Sequence, residues 1–107
     1  MESLISRIRA LVAAGNVQVS EHGYDELAND DIVVRDVVEA FAKATVIREY
    51  PDYYKGACVL VREYDSNGNP IHVVWGVPKG QSEPAVLVTA YRPDPGTWDE
   101  EFLRRRR

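Results

Sequence analysis

The chain has 107 residues, a formal net charge of −4, and 45% hydrophobic and 28% charged residues, as expected for one soluble globular domain. No apolar run approaches the roughly 18 residues that span a bilayer, and the N-terminus has no secretory signal pattern, so a cytoplasmic protein is expected. The single Cys58 excludes an intramolecular disulfide. One Cys and two His do not supply a structural metal site, and neither a metal nor a cofactor is predicted.

Positive charge is concentrated at the C-terminal end. Four of the 13 basic side chains are the arginines of residues 104–107, which leaves nine basic against 17 acidic side chains in the rest of the chain. Proteins that bind nucleic acids normally concentrate positive charge on the binding face, and this composition does not indicate such a face. The arginine run is interpreted either as a solvated end or as an arm that contacts RNA.

Apolar residues at helical spacing predict helices over residues 3–14, 21–28 and 34–43. Ser20 is the expected N-cap of the second helix, because its hydroxyl can accept from the amides of the first turn. Val17 and Val19 form a short extended link before it.

Alternating and β-branched runs predict four strands, over residues 45–50, 58–64, 71–77 and 85–92. Asn67 and Gly68 favour a two-residue hairpin turn between the second and third strands. In that register Glu63 lies opposite His72, so the two side chains share one face of the sheet.

The sequence therefore predicts a single α+β domain over residues 1–107, with two to three N-terminal helices packed on a four-stranded, mainly antiparallel sheet. The helix within residues 1–14 is either part of the fold or a local addition to it. The tail, residues 97–107, is predicted to form one or two helical turns capped by Thr97.

Several motifs resemble an uncharacterised bacterial family, domain of unknown function 4258, over residues 18–107. They are Ser20-Glu21-His22 at a helix start, the run at residues 46–51, the run at residues 68–74, the run at residues 88–91, and Pro93, Pro95 and Trp98 behind it.

Members of that family are similar to small toxins of type II toxin–antitoxin systems. The resemblance implies a fold like that of the RelE and MqsR ribonucleases, cleavage of messenger RNA without a metal, and an antitoxin as partner. The positions that match the family's site are His22, His72 and Tyr91. Glu26 and Asp30 stand where the family usually has arginines.

Ribonuclease chemistry without a metal requires a base, an acid and cations near the phosphate. His22 and His72 are the candidate proton-transfer groups, with Tyr91 beside them. The candidate RNA-binding residues are Arg48, Arg62 and Arg92. Each has a structural alternative: a local helix-start contact for His22, a cross-strand pair with Glu63 for His72, a core position for Tyr91, and ion pairs for the arginines.

Three functions remain open from the sequence. The first is a toxin-like ribonuclease, and the second is a non-catalytic descendant that binds a protein, its RNA face lost through Glu26 and Asp30. The third is a homodimer built through a strand edge or the aromatic residues Tyr91 and Trp98.

Overall fold

The computed structural model describes residues 3–107 as three α-helices and one five-stranded mixed sheet, which confirms the α+β class. In chain order the elements are α1 (Leu4–Ala13), β1 (Val17–Val19), α2 (Glu21–Asn29), α3 (Val34–Ala40) with a 3₁₀ turn (Phe41–Lys43), β2 (Thr45–Tyr50), β3 (Cys58–Tyr64), β4 (Pro70–Gly76) and β5 (Ala85–Tyr91). Residues 1 and 2, which the predicted domain and N-terminal helix include, lie outside the described residues.

Serine caps begin α1 and α2 and fix where the second helix lies. The hydroxyl of Ser20 accepts from the Gly23 amide at 2.9 Å and donates to the carbonyl of Val88 at 2.7 Å, so the predicted cap also ties α2 to β5. A side chain at Gly23 would lie 2.9 Å from the Leu87 carbonyl, so glycine permits this close approach. None of the helices in residues 3–107 has both the length and the apolar character to cross a membrane.

The sheet has five strands in the order β1-β5-β4-β3-β2, one more than predicted. The extra strand is the segment interpreted as a link: Val17 and Val19 pair in parallel with Ala85 and Leu87 of β5. A three-residue strand carries almost no periodic signal, and its partner is far away in the chain, so local pattern did not indicate it. The other three strand pairs are antiparallel, as expected.

The hairpin between β3 and β4 has a longer loop than the predicted two-residue turn. The carboxylate of Asp65 accepts from the amides of Asn67 and Asn69, both at 2.9 Å, and the Gly68 amide donates to the Asp65 carbonyl at 3.0 Å. Gly68 adopts φ +79°, which glycine tolerates without strain. The carboxylate of Asp65 therefore organises a loop over residues 65–69.

This loop moves the hairpin register by one residue from the prediction. Glu63 pairs with Ile71, and His72 pairs with Arg62. Because a one-residue shift exchanges the faces of one strand relative to the other, Glu63 and His72 lie on opposite faces. The predicted pairing of Glu63 with His72 is wrong for this reason.

The helices cover one face of the sheet and form the core with it. Fully buried side chains there include Ile8, Val37, Phe41, Val61, Val73, Trp75 and Leu87. The rings of Phe41 and Trp75 pack with centroids 5.2 Å apart. Burial of each large apolar side chain contributes roughly 1.5–3 kcal/mol, so this face carries most of the hydrophobic stabilisation.

The tail does not form the predicted helical turns. It folds into a loop closed by an antiparallel bridge between Trp98 and Arg105, with the Asp99 carboxylate accepting from the Leu103 amide at 3.1 Å. Phe102 within it adopts φ +58°, a conformation outside the right-handed helix. Tertiary packing of the tail onto the second face of the sheet overrides its weak helical preference.

Candidate functional site

A polar row crosses the sheet on the face opposite the helices. His72 of β4 pairs with Arg62 of β3 on one side and with Tyr91 of β5 on the other. Arg62 in turn pairs with Thr45 of β2 and donates to its hydroxyl at 3.0 Å. Residues paired across neighbouring strands share a face, so the sheet itself brings these four side chains together.

His72 is the centre of this row and is fully buried. Its Nε2 lies 2.7 Å from the carbonyl oxygen of Phe102, and its Nδ1 lies 3.2 Å from the Tyr91 hydroxyl. A carbonyl can only accept, so the proton is on Nε2, and the neutral ring accepts from Tyr91 at Nδ1. Burial lowers the pKa of His72; the bond to Phe102 offsets part of this, and nearby Arg62 lowers the pKa further.

The tail closes the row from solvent. The Trp98 ring stands edge-on to the His72 ring, with centroids 4.5 Å apart. The carbonyl of Glu101 accepts from the Arg62 guanidinium at 2.7 Å, and the Arg105 guanidinium lies 5.6 Å from the centroid of the Trp98 ring. The sequence prediction missed this cover, although three large apolar residues in a charged tail are a signal that the tail packs on the domain.

Tyr91 ends the row at β5, and Tyr50 lies on β2 at the opposite side of the sheet. Burial raises the pKa of Tyr91, so its side chain is a neutral phenol at physiological pH; nearby Tyr50 raises this pKa further, and Arg105 lowers it. The Arg48 guanidinium lies 5.5 Å from the Tyr50 ring centroid. The Arg62 guanidinium lies 4.6 Å from the Tyr64 ring centroid. The exposed rings of Tyr50 and Tyr64 thus flank the row, each paired with an arginine.

His22 lies apart from this site. It occupies the first turn of α2, where its side chain is 68% exposed and its Nε2 lies 3.6 Å from the Glu26 carboxylate. In the part of the chain that the structure describes, His22 makes no contact with His72. The two histidines predicted to share the proton transfers are therefore not brought together, and the structure places Tyr91 beside His72 instead.

Arg92 is engaged in the fold. Its guanidinium lies 2.8 Å from the Asp65 carboxylate and donates to the Pro70 carbonyl at 3.3 Å. Its backbone amide donates to the carboxylate of Asp30 at 2.8 Å. Asp30, one of the two anions at positions where the resemblance implies arginine, therefore helps to hold the end of β5.

The chemistry available at this face is acid–base and electrostatic. His72 and Tyr91 provide a coupled base and phenol, Arg62 provides positive charge beside them, and Arg48 and Arg105 lie farther along the face. Residues 3–107 contain no group of three or more His, Cys, Asp or Glu side chains arranged to hold a metal ion.

The two remaining sequence predictions for this face concern association. Trp98, named as part of an exposed aromatic dimer contact, is only 9% exposed because it covers His72. Tyr91 is half-buried against the same histidine. Both side chains make contacts within the chain and expose little surface. A homodimer built on them therefore stays a prediction that their exposure does not support.

Comparison with known proteins gives a family but no described activity. No curated protein and no solved structure matches the chain. The family described as a domain of unknown function, DUF4258, matches residues 19–92, which span α2, α3 and all of β2 to β5. The chain belongs to the DUF4258 family.

Proposed function

We propose that this protein is a toxin-like endoribonuclease that cleaves RNA with its own acid–base groups and is held in check by an antitoxin. The observation that supports it is the 3.2 Å contact between His72 Nδ1 and the Tyr91 hydroxyl, in a row that also holds Arg62. A histidine hydrogen-bonded to a phenol beside a guanidinium supplies a base, an acid and a cation at one place.

The proposal requires the tail to move. His72 is fully buried, and Phe102 occupies the Nε2 position at which the reaction begins. RNA therefore reaches His72 only after residues 98–105 lift from the sheet. The tail contacts consist of one closed loop on the face of the sheet, so this opening leaves the helical core intact.

The proposed reaction is attack of the ribose 2′-hydroxyl on the adjacent phosphorus. Once the Phe102 carbonyl has left, the neutral His72 ring takes the tautomer with its proton on Nδ1, and Nε2 is free to accept the 2′-hydroxyl proton. Tyr91 donates its own proton to the departing 5′-oxygen. The imidazolium then returns the Nδ1 proton to the Tyr91 phenolate through their hydrogen bond. The products are a 2′,3′-cyclic phosphate and a 5′-hydroxyl end, and both side chains are neutral again.

In this reaction the arginine guanidinium groups stabilise the negative charge that develops on the phosphate oxygens. Arg62 lies nearest to His72, and its Nε is buried without a hydrogen-bond partner, so it retains an unused donor. Arg48 and Arg105 lie farther along the face and contact the neighbouring phosphates of the strand. Stabilisation of this kind is typically worth about 2.7–4 kcal/mol for a single donor in an enzyme site.

The test is cleavage of a defined single-stranded RNA in EDTA by the wild type and by His72→Ala, Tyr91→Phe and His22→Ala. We expect cleavage to fall at least about 100-fold in the first two variants, in line with the usual contribution of a positioned acid or base. His22→Ala is the matched control and should keep full activity, because His22 is exposed and remote from the row.

Trp98→Ala joins the assay as an open-tail variant, and we expect it to cleave faster than the wild type. Cleavage that persists unchanged in His72→Ala would show that the activity belongs elsewhere. An absence of cleavage in both the wild type and Trp98→Ala would overturn the ribonuclease proposal.

A second candidate function is supported by the enclosure of His72. With both ring nitrogens hydrogen-bonded and no exposed surface, His72 also fits a structural role in a domain that binds a protein and does no chemistry. This candidate predicts a stable complex with a protein partner and no RNA cleavage, and the same assay therefore separates the two.

A further inference from the structure

Two tyrosines are exposed side by side in the loop between β2 and β3. Tyr53 and Tyr54 are 45% and 68% exposed, and their ring centroids lie 5.0 Å apart. The Nζ atom of Lys55 lies 5.7 Å from the Tyr54 ring centroid. Aromatic rings presented to solvent next to a cation are a feature of binding surfaces and have no role in this core.

The loop that carries them is firmly held. The Lys79 amide donates to the Lys55 carbonyl at 3.0 Å, and the Val77 amide donates to the Ala57 carbonyl at 3.2 Å. Gly56 adopts φ +133°, and a Cβ there would lie 2.1 Å from the Val77 carbonyl oxygen. The exposed rings are therefore presented by a fixed backbone.

A pocket of about 420 Å³ lies beside the tyrosines, between this loop, the start of α1 and the chain that follows β4. Arg7 and Lys79 line it, and Lys55 lies at its rim over Tyr54. Asp52 is the one carboxylate among the lining residues. In a protein with a net charge of −4, this site combines three cations with two exposed rings.

We propose that this pocket binds a nucleotide of single-stranded RNA, with a base stacked on Tyr53 or Tyr54 and its phosphate between Arg7 and Lys79. The inference deepens the proposed function, on which it rests for the choice of RNA as ligand. Tyr50 lies between the two sites in the chain, because it ends β2 directly before this loop, and Arg48 lies over its ring. In this proposal the pocket holds nucleotides remote from the scissile phosphate, because it is lined by α1 at the Cys58–Gly76 end of the hairpin, whereas His72 lies near the Arg62 end on the other face of the sheet.

RNA fits this site better than a protein segment does. Every base has a face that stacks on tyrosine, and phosphates require the cations that surround the rings. A protein partner of comparable affinity requires a larger apolar contact, whereas the charged side chains of Arg7, Asp52 and Lys79 interrupt the apolar lining of this pocket.

The experiment measures binding of a labelled 2′-O-methyl oligouridine, which lacks the nucleophilic hydroxyl, by fluorescence anisotropy in EDTA. We expect the Tyr53→Ala, Tyr54→Ala double variant to lose at least about fivefold in affinity, the lower end of the effect of removing a stacked aromatic. Lys55→Gln with Lys79→Gln should make the dependence of log K on log salt less steep, by roughly 0.7 for each phosphate that the variant no longer neutralises.

Tyr24→Ala is the matched control. Tyr24 is 58% exposed but lies on α2 among acidic residues, so its loss should leave RNA affinity unchanged. Equal affinities of the wild type and the double tyrosine variant, with all proteins folded by circular dichroism, would overturn the inference. So would a loss of binding to a protein partner, but not to RNA, in that variant.

The outcome also separates this inference from the proposed function. RNA binding that depends on Tyr53 and Tyr54, without any RNA cleavage, would support the subsite and contradict the ribonuclease proposal. Cleavage that depends on His72, together with RNA binding that does not depend on Tyr53 and Tyr54, would support the ribonuclease proposal and contradict the subsite.

Discussion

Glu63 accepts a hydrogen bond of 3.1 Å from the indole nitrogen of Trp75 within the hydrophobic core. Glu63 is only 1% exposed, and its second carboxyl oxygen has no hydrogen-bond partner. Burial raises the pKa of this carboxyl to about 8, with the Trp75 bond and the charge of Arg9 offsetting part of the effect. Glu63 is therefore a protonated acid at neutral pH. Its neutral form avoids the cost of burying a charge and still accepts the hydrogen bond from Trp75.

Ionisation of Glu63 should make the folded protein less stable as pH rises. The folded state holds this proton up to a pKa of about 8, whereas an unfolded glutamate releases it near 4.5. Its contribution to stability is complete below pH 4.5 and is lost as pH rises through 8. The slope reaches at most about 1.4 kcal/mol per pH unit for one proton.

Chemical denaturation between pH 7 and 8 measures this effect. His72 has the opposite sign, because its lowered pKa makes stability increase with pH, but that contribution levels off above the unfolded value of 6.5. Glu63→Gln mimics the protonated acid and should show a nearly flat profile over the same range. Identical slopes for the two proteins would contradict the raised pKa.

The guanidinium of Arg9 should be a major stabilising contact of α1. It donates to the carbonyls of Phe41, Ala42 and Ala44 at 3.0–3.2 Å, where α3 ends in its 3₁₀ turn. Arg9→Ala should lower the free energy of unfolding by about 2 kcal/mol, because it leaves partly buried carbonyls without a charged donor. Thermal or urea unfolding measures the change.

Two variants calibrate this prediction. Arg9→Lys keeps the charge but lacks the planar fork, so it should recover only part of the loss. Arg35→Ala, at an exposed position of α3, should change stability by less than about 0.5 kcal/mol. A loss in Arg35→Ala as large as that in Arg9→Ala would refute a specific role for Arg9.

Asp65 should matter more to stability than its ion-pair partner Arg92. Besides the 2.8 Å contact with Arg92, its carboxylate accepts from two amides of the hairpin loop. Asp65→Ala is expected to cost about 2 kcal/mol, and Arg92→Gln about 1 kcal/mol, measured by urea unfolding at pH 7. Equal costs would contradict the loop-organising role of the carboxylate.

The pKa of Asp65 provides an independent check of the same contacts. Burial alone raises it, but the bonds from Asn69 and Asn67 and the contact with Arg92 outweigh burial and lower it. The stability that Asp65 provides is therefore present above pH 3.8 and is lost as pH falls through its folded pKa. Carboxyl NMR titration should find this pKa raised in Arg92→Gln.

Removal of the tail cover should change the titration of His72. In Trp98→Ala water reaches the ring, so the pKa of His72 should rise from its lowered value toward 6.5. Trp98→Phe retains an apolar cover and should resemble the wild type. Histidine-ring NMR across pH 4–8 makes the comparison, and unchanged pKa values in both variants would mean that the tail is not what excludes water.

Local pattern was sufficient for most of the secondary structure. The apolar stripe of α1, the Ser20 cap of α2 and the strands β2 and β3 appear in the structure within a residue or so of their predicted bounds. These features depend on interactions between residues a few positions apart, so the local sequence pattern is sufficient to predict them. The strand β1 was missed because its stabilising partner, β5, is remote in the chain.

The α+β class, the serine caps of the helices and the residue types available for chemistry follow from the amino-acid sequence. Which of those residues lie in contact depends on the packing of segments that are remote in the chain. Across the loop that the Asp65 carboxylate organises, the hairpin register differs by one residue from the predicted one, so Glu63 lies in the core and His72 lies on the other face. The packed tail then enclosed His72 beside Tyr91, and α2 carried His22 away from both. These positions depend on hydrogen bonds and packing between segments that are remote in the chain. Local hydrophobic periodicity therefore does not predict them.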